Sequence, residues 1–152
     1  MRRIAVFTGT RAEYGLLSSI IKGLDKSPNA ELALIVGGMH LSSEFGYTVS
    51  EIENDGIRVS ARLEFLVSSE TSVGISKSMG LAIISAAEYF ERERPDILVL
   101  LGDRFEAMAV AQAAMIARIP IAHIHGGEIT EGLIDEAIRH SITKMSHLHF
   151  AS

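Results

Sequence analysis

Cysteine is absent from this chain of 152 residues, and proline occurs only three times. The absence of thiols excludes a disulfide scaffold and a thiolate metal site, and it is typical of a cytoplasmic protein. With so few prolines and no low-complexity tract, the sequence offers no obvious linker, so a single domain is expected at this length. The apolar fraction of 47% and charged fraction of 22% are typical of a globular α/β protein.

Long hydrophobic runs and an excess of basic residues are missing as well. The apolar runs are too short to span a bilayer, and the one that follows Met1-Arg2-Arg3 ends at residues 8–11, so no signal peptide is expected. A net charge of −5 argues against a nucleic-acid-binding surface. We therefore predict neither a membrane nor a nucleic acid as a partner.

The chain does contain a regular alternation of strand-like and helix-like segments. Strand-like runs occupy residues 3–8, 31–36, 57–65, 96–101 and 119–124, with a short one at 147–151. Between them lie helical stripes formed by Leu16, Leu17, Ile20, Ile21 and Leu24, by Phe45, Val49 and Ile52, and by Ile134, Ile138, Ile142 and Met145, with longer helical patterns at 73–94 and 105–118. This order predicts the α/β class with a doubly wound, Rossmann-like parallel sheet.

The segment 120–140, PIAHIHGGEITEGLIDEAIRH, contains the densest group of titratable side chains. His123 and His125 precede a pair of glycines, and carboxylates follow at Glu128, Glu131, Asp135 and Glu136. Titratable groups at a junction between strand and helix are typical of a proton-transfer site, because backbone can approach a ligand closely there. A buried strand end followed by a solvated loop explains the segment equally well.

Two further strand ends carry polar residues. The loop at 9–15, GTRAEYG, could hold a phosphate through its N–H groups and Arg11, although a plain turn into a helix also explains it. In Gly102-Asp103-Arg104, Asp103 is predicted to cap the next helix, and with Arg104 it could also bind a substrate hydroxyl and a phosphate. Since ligands bind at the carboxyl ends of parallel strands, we expect these loops to meet in one crevice.

Four motifs resemble those of the hydrolysing UDP-N-acetylglucosamine 2-epimerases of sialic-acid biosynthesis. They are GTRAEYGLL at 9–17, GDRFEA at 102–107, HIHGGE at 123–128 and IDEAIRHSITKMSHLHF at 134–150. The resemblance implies a two-domain fold of the glycosyltransferase-B type, with the active site between two Rossmann-like halves. Members of that family are usually more than twice this long, so we expect residues 1–152 to be the N-terminal domain, without its C-terminal domain. Such a half is expected to fold and self-associate, as a homo-oligomer, but not to catalyse.

The resemblance also implies a reaction. A base removes the C2 proton of the sugar, UDP leaves C1, and water adds to the glycal to release N-acetylmannosamine. The implied catalytic residues are Asp103, His125, Glu128 and Asp135, and the implied substrate-binding residues are Arg11, Glu13, Arg104, Gly126, Gly127, Arg139 and His140. His125 stands where better-known relatives have a catalytic glutamate. No cofactor is implied, and the histidines form no HExxH pair, so no metal site is expected.

Other functions remain open at this stage. A related branch of the family acts on UDP-diacetamido-bacillosamine. A glycosyltransferase of the same fold would transfer the sugar instead of releasing it, and a non-catalytic binding or assembly module would need no complete cleft. A dehydrogenase is disfavoured because the first loop lacks the GxGxxG pattern.

Overall fold

A computed structural model describes residues 1–125 and 133–151. The elements, in chain order, are β1 (Arg2–Thr8), α1 (Arg11–Lys26), β2 (Ala30–Gly37), α2 (Val49–Asn54), β3 (Val59–Leu63), α3 (Ser72–Glu93), β4 (Ile97–Leu101), α4 (Phe105–Ile116), β5 (Ile121–Ile124), α5 (Leu133–Met145) and β6 (Leu148–Phe150). Two short 3₁₀ turns, Gly38–Leu41 and Ser43–Phe45, lie between β2 and α2.

The described strands form one six-stranded sheet in the order β3-β2-β1-β4-β5-β6, and every pairing is parallel. The chain therefore runs outward from β1 to β3 and then returns to the other side of β1 to begin β4. This confirms the predicted doubly wound sheet. The point where the strand order reverses lies between β1 and β4, where such folds bind ligands.

Both faces of the sheet are covered by helices. Phe7, Ile35 and Leu100 belong to a core that includes buried residues of α3, α4 and α5. Val6 and Val99, neighbours of those residues along their strands, belong to a second core with buried residues of α1 and α2. Alternation of the side chains along each strand sends neighbours to opposite faces, which explains why nearly continuous apolar runs form these strands.

The helix ends follow from local side chains. Thr10 and Thr71 are the N-caps of α1 and α3, and their hydroxyl oxygens accept from the N–H groups of Glu13 and Gly74. At the other end of α3, Arg94 adopts a left-handed φ of 43° just before Pro95, which cannot continue a helix.

Parts of the helix prediction were wrong. Helix α1 begins at Arg11, so the predicted loop 9–15 is mostly its first turn. The buried stripe of α1 consists of Tyr14, Leu17 and Ile21, whereas Leu16 and Ile20 are exposed. Thr10 caps the helix, so α1 begins at Arg11. The buried face of α1 therefore begins at Tyr14, before the first leucine of the predicted stripe.

Two other predicted apolar stripes are interrupted. Phe45 lies in a 3₁₀ turn and is exposed, while Val49 and Ile52 are buried in the separate helix α2. In α5, Ile138 and Ile142 are buried but Ile134 is exposed at the start of the helix. No helix in the described part of the chain is both long and apolar enough to cross a membrane.

Candidate active site

A cleft of about 630 Å³ lies at the carboxyl edge of the sheet. Asp103 and Arg104 reach it from the β4–α4 loop, and Asp135 reaches it from the first turn of α5. Its apolar wall includes Phe105 and Ile138. Residues that follow two different strands meet in this cleft, because Met39, after β2, lines it together with Asp103 and Arg104, after β4.

Asp103 is held by a buried arginine from α5. The Nη1 atom of Arg139 donates to Oδ2 of Asp103 at 2.8 Å, and the Arg139 side chain is only 3% exposed. The prediction that Asp103 caps α4 was wrong. The N-cap of α4 is Arg104, which makes no capping hydrogen bond through its side chain. Asp103 lies one residue too early to cap, and its carboxylate is left to the ion pair and the cleft.

Arg104 is fixed by a glutamate in the first turn of α4. Its Nε and Nη2 atoms donate to the two carboxylate oxygens of Glu106, each at 2.9 Å, and the Glu106 side chain is fully buried. This paired geometry orients a guanidinium firmly. Arg104 keeps 37% of its side chain exposed, so it presents a permanent cation to the cleft.

A second cavity of about 350 Å³ also has Arg104 in its wall. Thr10 and Arg11, at the beginning of α1, contribute to the same wall. Arg11 is 72% exposed and its Nε lies 3.0 Å from Oε2 of Glu51. Two arginines next to a helix N-terminus favour an anionic ligand, so this cavity suits a phosphate better than the carboxylate-lined cleft does.

Glu13 is buried beneath the first loop. Its Oε1 atom accepts from the N–H of Gly9 at 3.0 Å, and the residue is 7% exposed. Burial raises the pKa of Glu13 to about 7. Its predicted role was in substrate binding; its carboxylate binds the backbone of its own loop, at the end of β1.

Replacing Glu13 with Gln should remove one loss of stability that occurs as the pH rises from 5 to 8. Folding raises the pKa of Glu13 from 4.5 to about 7, so the folded state binds this proton more tightly than the unfolded chain does. The stabilisation that protonated Glu13 gives the folded state is complete below about pH 4.5 and is lost as the pH rises through about 7. The effect on the free energy of unfolding is on the order of 3 kcal/mol. Urea unfolding at pH 5 and pH 8 measures it.

The control for this experiment is Glu91→Gln, which removes a carboxylate that is 85% exposed. The change in stability from pH 5 to pH 8 should be the same in the control as in the wild type, and in Glu13→Gln it should be shifted in favour of the folded state. Equal changes in all three proteins would contradict the assignment of a raised pKa to Glu13.

His40 has a structural role at the end of β2. The residue is fully buried, with Nε2 2.9 Å from the Thr8 hydroxyl and Nδ1 2.9 Å from the Thr48 hydroxyl. Burial lowers the pKa of His40 to about 4, so the ring stays neutral. It links β1 to the start of α2 and is separate from the chemistry of the cleft.

The remaining predicted site residues differ in what the structure says about them. His125 follows β5 with a left-handed φ of 59°, its side chain is exposed, and its N–H donates to the carbonyl of Phe150 at 2.8 Å. His140 is also exposed, with Nε2 3.5 Å from Oε1 of Glu136. Gly126, Gly127 and Glu128 lie outside the described residues.

Sequence reasoning missed several polar residues of the cleft. Glu44, Ser68, Ser69 and Glu70 line it, and the Ser68 hydroxyl donates to Oε2 of Glu44 at 3.0 Å. These residues follow β2 and β3 in loops without a recognisable motif, so only the folded chain places them there. Within residues 1–125 and 133–151, no group of three or more His, Asp or Glu side chains could hold a metal ion.

Comparison with known proteins gives a consistent result. The family model for UDP-N-acetylglucosamine 2-epimerase matches residues 22–152. The chain is 41% identical over 151 residues to the GDP/UDP-N,N'-diacetylbacillosamine 2-epimerase (hydrolyzing) of Campylobacter jejuni, covering 99% of this chain and 39% of that protein. It is 40% identical over 152 residues to the UDP-N,N'-diacetylbacillosamine 2-epimerase (hydrolyzing) of Legionella pneumophila, covering 100% of this chain and 40% of that protein.

Solved structures resemble the fold over the same extent. The crystal structure of the Neisseria meningitidis UDP-GlcNAc 2-epimerase bound to UDP-GlcNAc matches with a TM-score of 0.81 and 25% identity, over 99% of this chain and 40% of that one. Acinetobacter baumannii MurG, a protein of the glycosyltransferase-B fold, matches with a TM-score of 0.68 and 11% identity, over 98% of this chain and 41% of that one, which shows the fold alone. The chain thus spans about 40% of the length of the relatives it matches. The motifs, the sheet and the extent of the family match together show that this chain belongs to the UDP-N-acetylglucosamine 2-epimerase family.

Proposed function

We propose that the complete protein hydrolyses UDP-N-acetylglucosamine to UDP and N-acetylmannosamine, with inversion at C2. The observation that carries the proposal is the placement of Asp103 and Asp135 in one cleft with Arg104. In the proposed reaction one carboxylate of the cleft takes the C2 proton. Proton transfer of this kind needs a base within hydrogen-bond reach of the reacting carbon, and Asp103 and Asp135 are carboxylates in the wall of this cleft.

The charges of the two cavities support one orientation of the substrate. Asp103, Asp135, Glu44 and Glu70 make the larger cleft rich in hydrogen-bond acceptors, which suits the hydroxyl and amide N–H groups of an acetamido sugar. Arg11 and Arg104 bring guanidinium groups into the wall of the smaller cavity, which suits a diphosphate. Arg104 lines both cavities, which supports a role for it in stabilising the negative charge that develops on the leaving UDP.

A second candidate substrate is UDP-N,N'-diacetylbacillosamine. The observation that favours it is the identity of 41% and 40% to two hydrolysing epimerases named for that sugar. Both sugars carry an acetamido group at C2 and share the proposed proton chemistry. They differ at C4, where the second sugar has another acetamido group, and at C6, where the second sugar lacks the hydroxyl.

The test uses the complete gene product, including whatever sequence follows Ser152. Each UDP-sugar is incubated with the protein in the absence of an acceptor, UDP release is measured, and the free sugar is identified by NMR. We expect UDP release with a free sugar inverted at C2, and the larger kcat/KM identifies the substrate. Release that requires an acceptor would instead establish a glycosyltransferase.

We further propose that a second domain completes the site and that the protein self-associates. Leu81 and Ile84 on α3 and Met115 and Ile116 on α4 are exposed apolar side chains, which supports an interface on these helices. The 152-residue chain alone is expected to fold without turnover, because an open cleft does not exclude water. Calorimetry with UDP tests whether the site of this chain alone is incomplete, and light scattering tests self-association. The cytoplasmic location expected from the sequence stays a prediction.

A further inference from the structure

Helix α5 carries three polar residues at successive helical turns. Asp135, Arg139 and Thr143 are spaced four residues apart, so they lie on one face of the helix. Asp135 lines the cleft and Arg139 binds Asp103, whereas Thr143 lies a full turn farther from the cleft. The role of Thr143 is therefore not explained by substrate contact.

Thr143 is hydrogen-bonded to a buried histidine of β5. The Nδ1 atom of His123 lies 3.1 Å from the Thr143 hydroxyl, and its Nε2 atom lies 2.7 Å from the carbonyl oxygen of Gly102. A carbonyl oxygen can only accept, so Nε2 carries the proton and donates. Burial lowers the pKa of His123, which keeps the ring neutral, so Nδ1 accepts from the Thr143 hydroxyl.

Gly102 precedes Asp103, and both its backbone N–H and its backbone carbonyl are hydrogen-bonded to residues of β5. The N–H of Gly102 donates to the carbonyl of Ile124 at 2.9 Å, and its carbonyl accepts from His123. Gly102 has a φ of 75°, a conformation that glycine adopts as readily as a negative φ. Steric exclusion therefore does not fix this backbone, and the hydrogen bonds must do so.

We propose that Thr143 and His123 are positioning residues that fix the peptide between Gly102 and Asp103 and so aim the Asp103 carboxylate into the cleft. The Gly102 carbonyl and the Asp103 N–H belong to the same planar peptide, so fixing one fixes the other. The hydrogen bonds from Thr143 to His123 and from His123 to Gly102 connect α5 to the β4–α4 loop at one helical turn. The ion pair between Arg139 and Asp103 connects them at the preceding turn. The kinetic consequence of this inference rests on the proposed function.

The test compares Thr143→Val with Thr143→Ser in the complete gene product. Valine keeps the shape and removes the hydroxyl, whereas serine keeps the hydroxyl. We expect Thr143→Val to lower kcat by about 10- to 100-fold, the size of effect that misplaced reacting groups produce, with KM nearly unchanged. Thr143→Ser should recover most of the wild-type kcat.

Ser141→Ala is the matched control, because it also removes a hydroxyl from α5. That hydroxyl donates only to the carbonyl of Ala137 within the same helix, at 2.7 Å, so kcat should stay at the wild-type value. A wild-type kcat in Thr143→Val, or an equally low kcat in Thr143→Ser, would overturn the positioning role.

A second readout does not depend on turnover. In ¹H–¹⁵N spectra, the amide signal of Asp103 should shift in Thr143→Val, return toward its wild-type position in Thr143→Ser and stay in place in Ser141→Ala. An unshifted Asp103 signal in Thr143→Val would refute the positioning of the loop even if the enzyme is active. A wild-type protein that releases no UDP would refute the proposed function, and the amide signal would then decide the positioning role by itself.

Discussion

Replacing Asp103 with Asn in the complete protein should lower kcat by about 10²–10⁴-fold, the range expected when an acid–base group is lost. The amide keeps the size of the side chain and can still accept a hydrogen bond from Arg139, but it cannot take a proton from carbon. Turnover of the UDP-sugar measures the effect, and Asp25→Asn, an exposed position in α1, is the matched control.

The same substitution should also cost some stability. Because the Asp103 carboxylate pairs with a guanidinium that is 3% exposed, its neutralisation should reduce the free energy of unfolding by about 1–3 kcal/mol. Loss of turnover in a variant that remains folded at the assay temperature assigns the effect to chemistry. Wild-type turnover would reduce Asp103 to a partner of Arg139.

Replacing His125 with Ala should lower turnover by about 10²–10⁴-fold if the imidazole transfers a proton in place of the family's glutamate. An imidazole can do acid–base work near neutral pH. Glu128→Gln should then be the milder change. The reverse ranking would move the role to Glu128, and two mild effects would remove both from the chemistry.

The backbone at His125 calls for one control. Its φ of 59° is left-handed, a conformation that asparagine tolerates better than alanine. His125→Asn therefore preserves the backbone preference while removing the imidazole. Low turnover in both variants identifies the imidazole as the cause, whereas low turnover in the alanine variant alone identifies backbone strain.

The strand framework could be read from the sequence because the central strands β1, β2, β4 and β5 are apolar runs that are largely buried on both faces. A short apolar run such as residues 96–101, which lies between two helical patterns, is typical of a strand in a parallel sheet covered on both faces. The helix faces were less predictable. Leu16 and Ile20 have the hydrophobicity of core residues, but the buried face of α1 consists of Tyr14, Leu17 and Ile21, which share one side of the helix at the spacing i, i+3 and i+7.

The candidate site was predictable where the topology alone brings residues together. Parallel strands place the ends of β1, β2 and β4 at one edge, so Asp103 and Arg104 could be expected in a crevice together with residues of the other strand ends. The partners of these side chains were not predictable. Nothing in the sequence shows that Arg139, 36 residues away, binds Asp103, or that Glu106 is buried under Arg104.

The position of Thr143 was partly predictable. Its four-residue spacing from Arg139 and Asp135 can be read from the sequence and marks a polar face of α5. Its partner His123 belongs to a segment that the sequence explains either as a proton-transfer site or as a buried strand end. In the structure His123 is buried and its ring is hydrogen-bonded to the carbonyl of Gly102, which the sequence does not show.

The most direct test of the proposed chemistry is the reaction of the complete protein with UDP-N-acetylglucosamine and UDP-N,N'-diacetylbacillosamine in D₂O. Removal of the C2 proton, followed by addition of water, requires a solvent hydrogen at C2 of the product. We therefore predict that the sugar released from the better substrate carries one deuterium at C2, in the inverted configuration. A released sugar without deuterium at C2, or with its original configuration, would contradict the account.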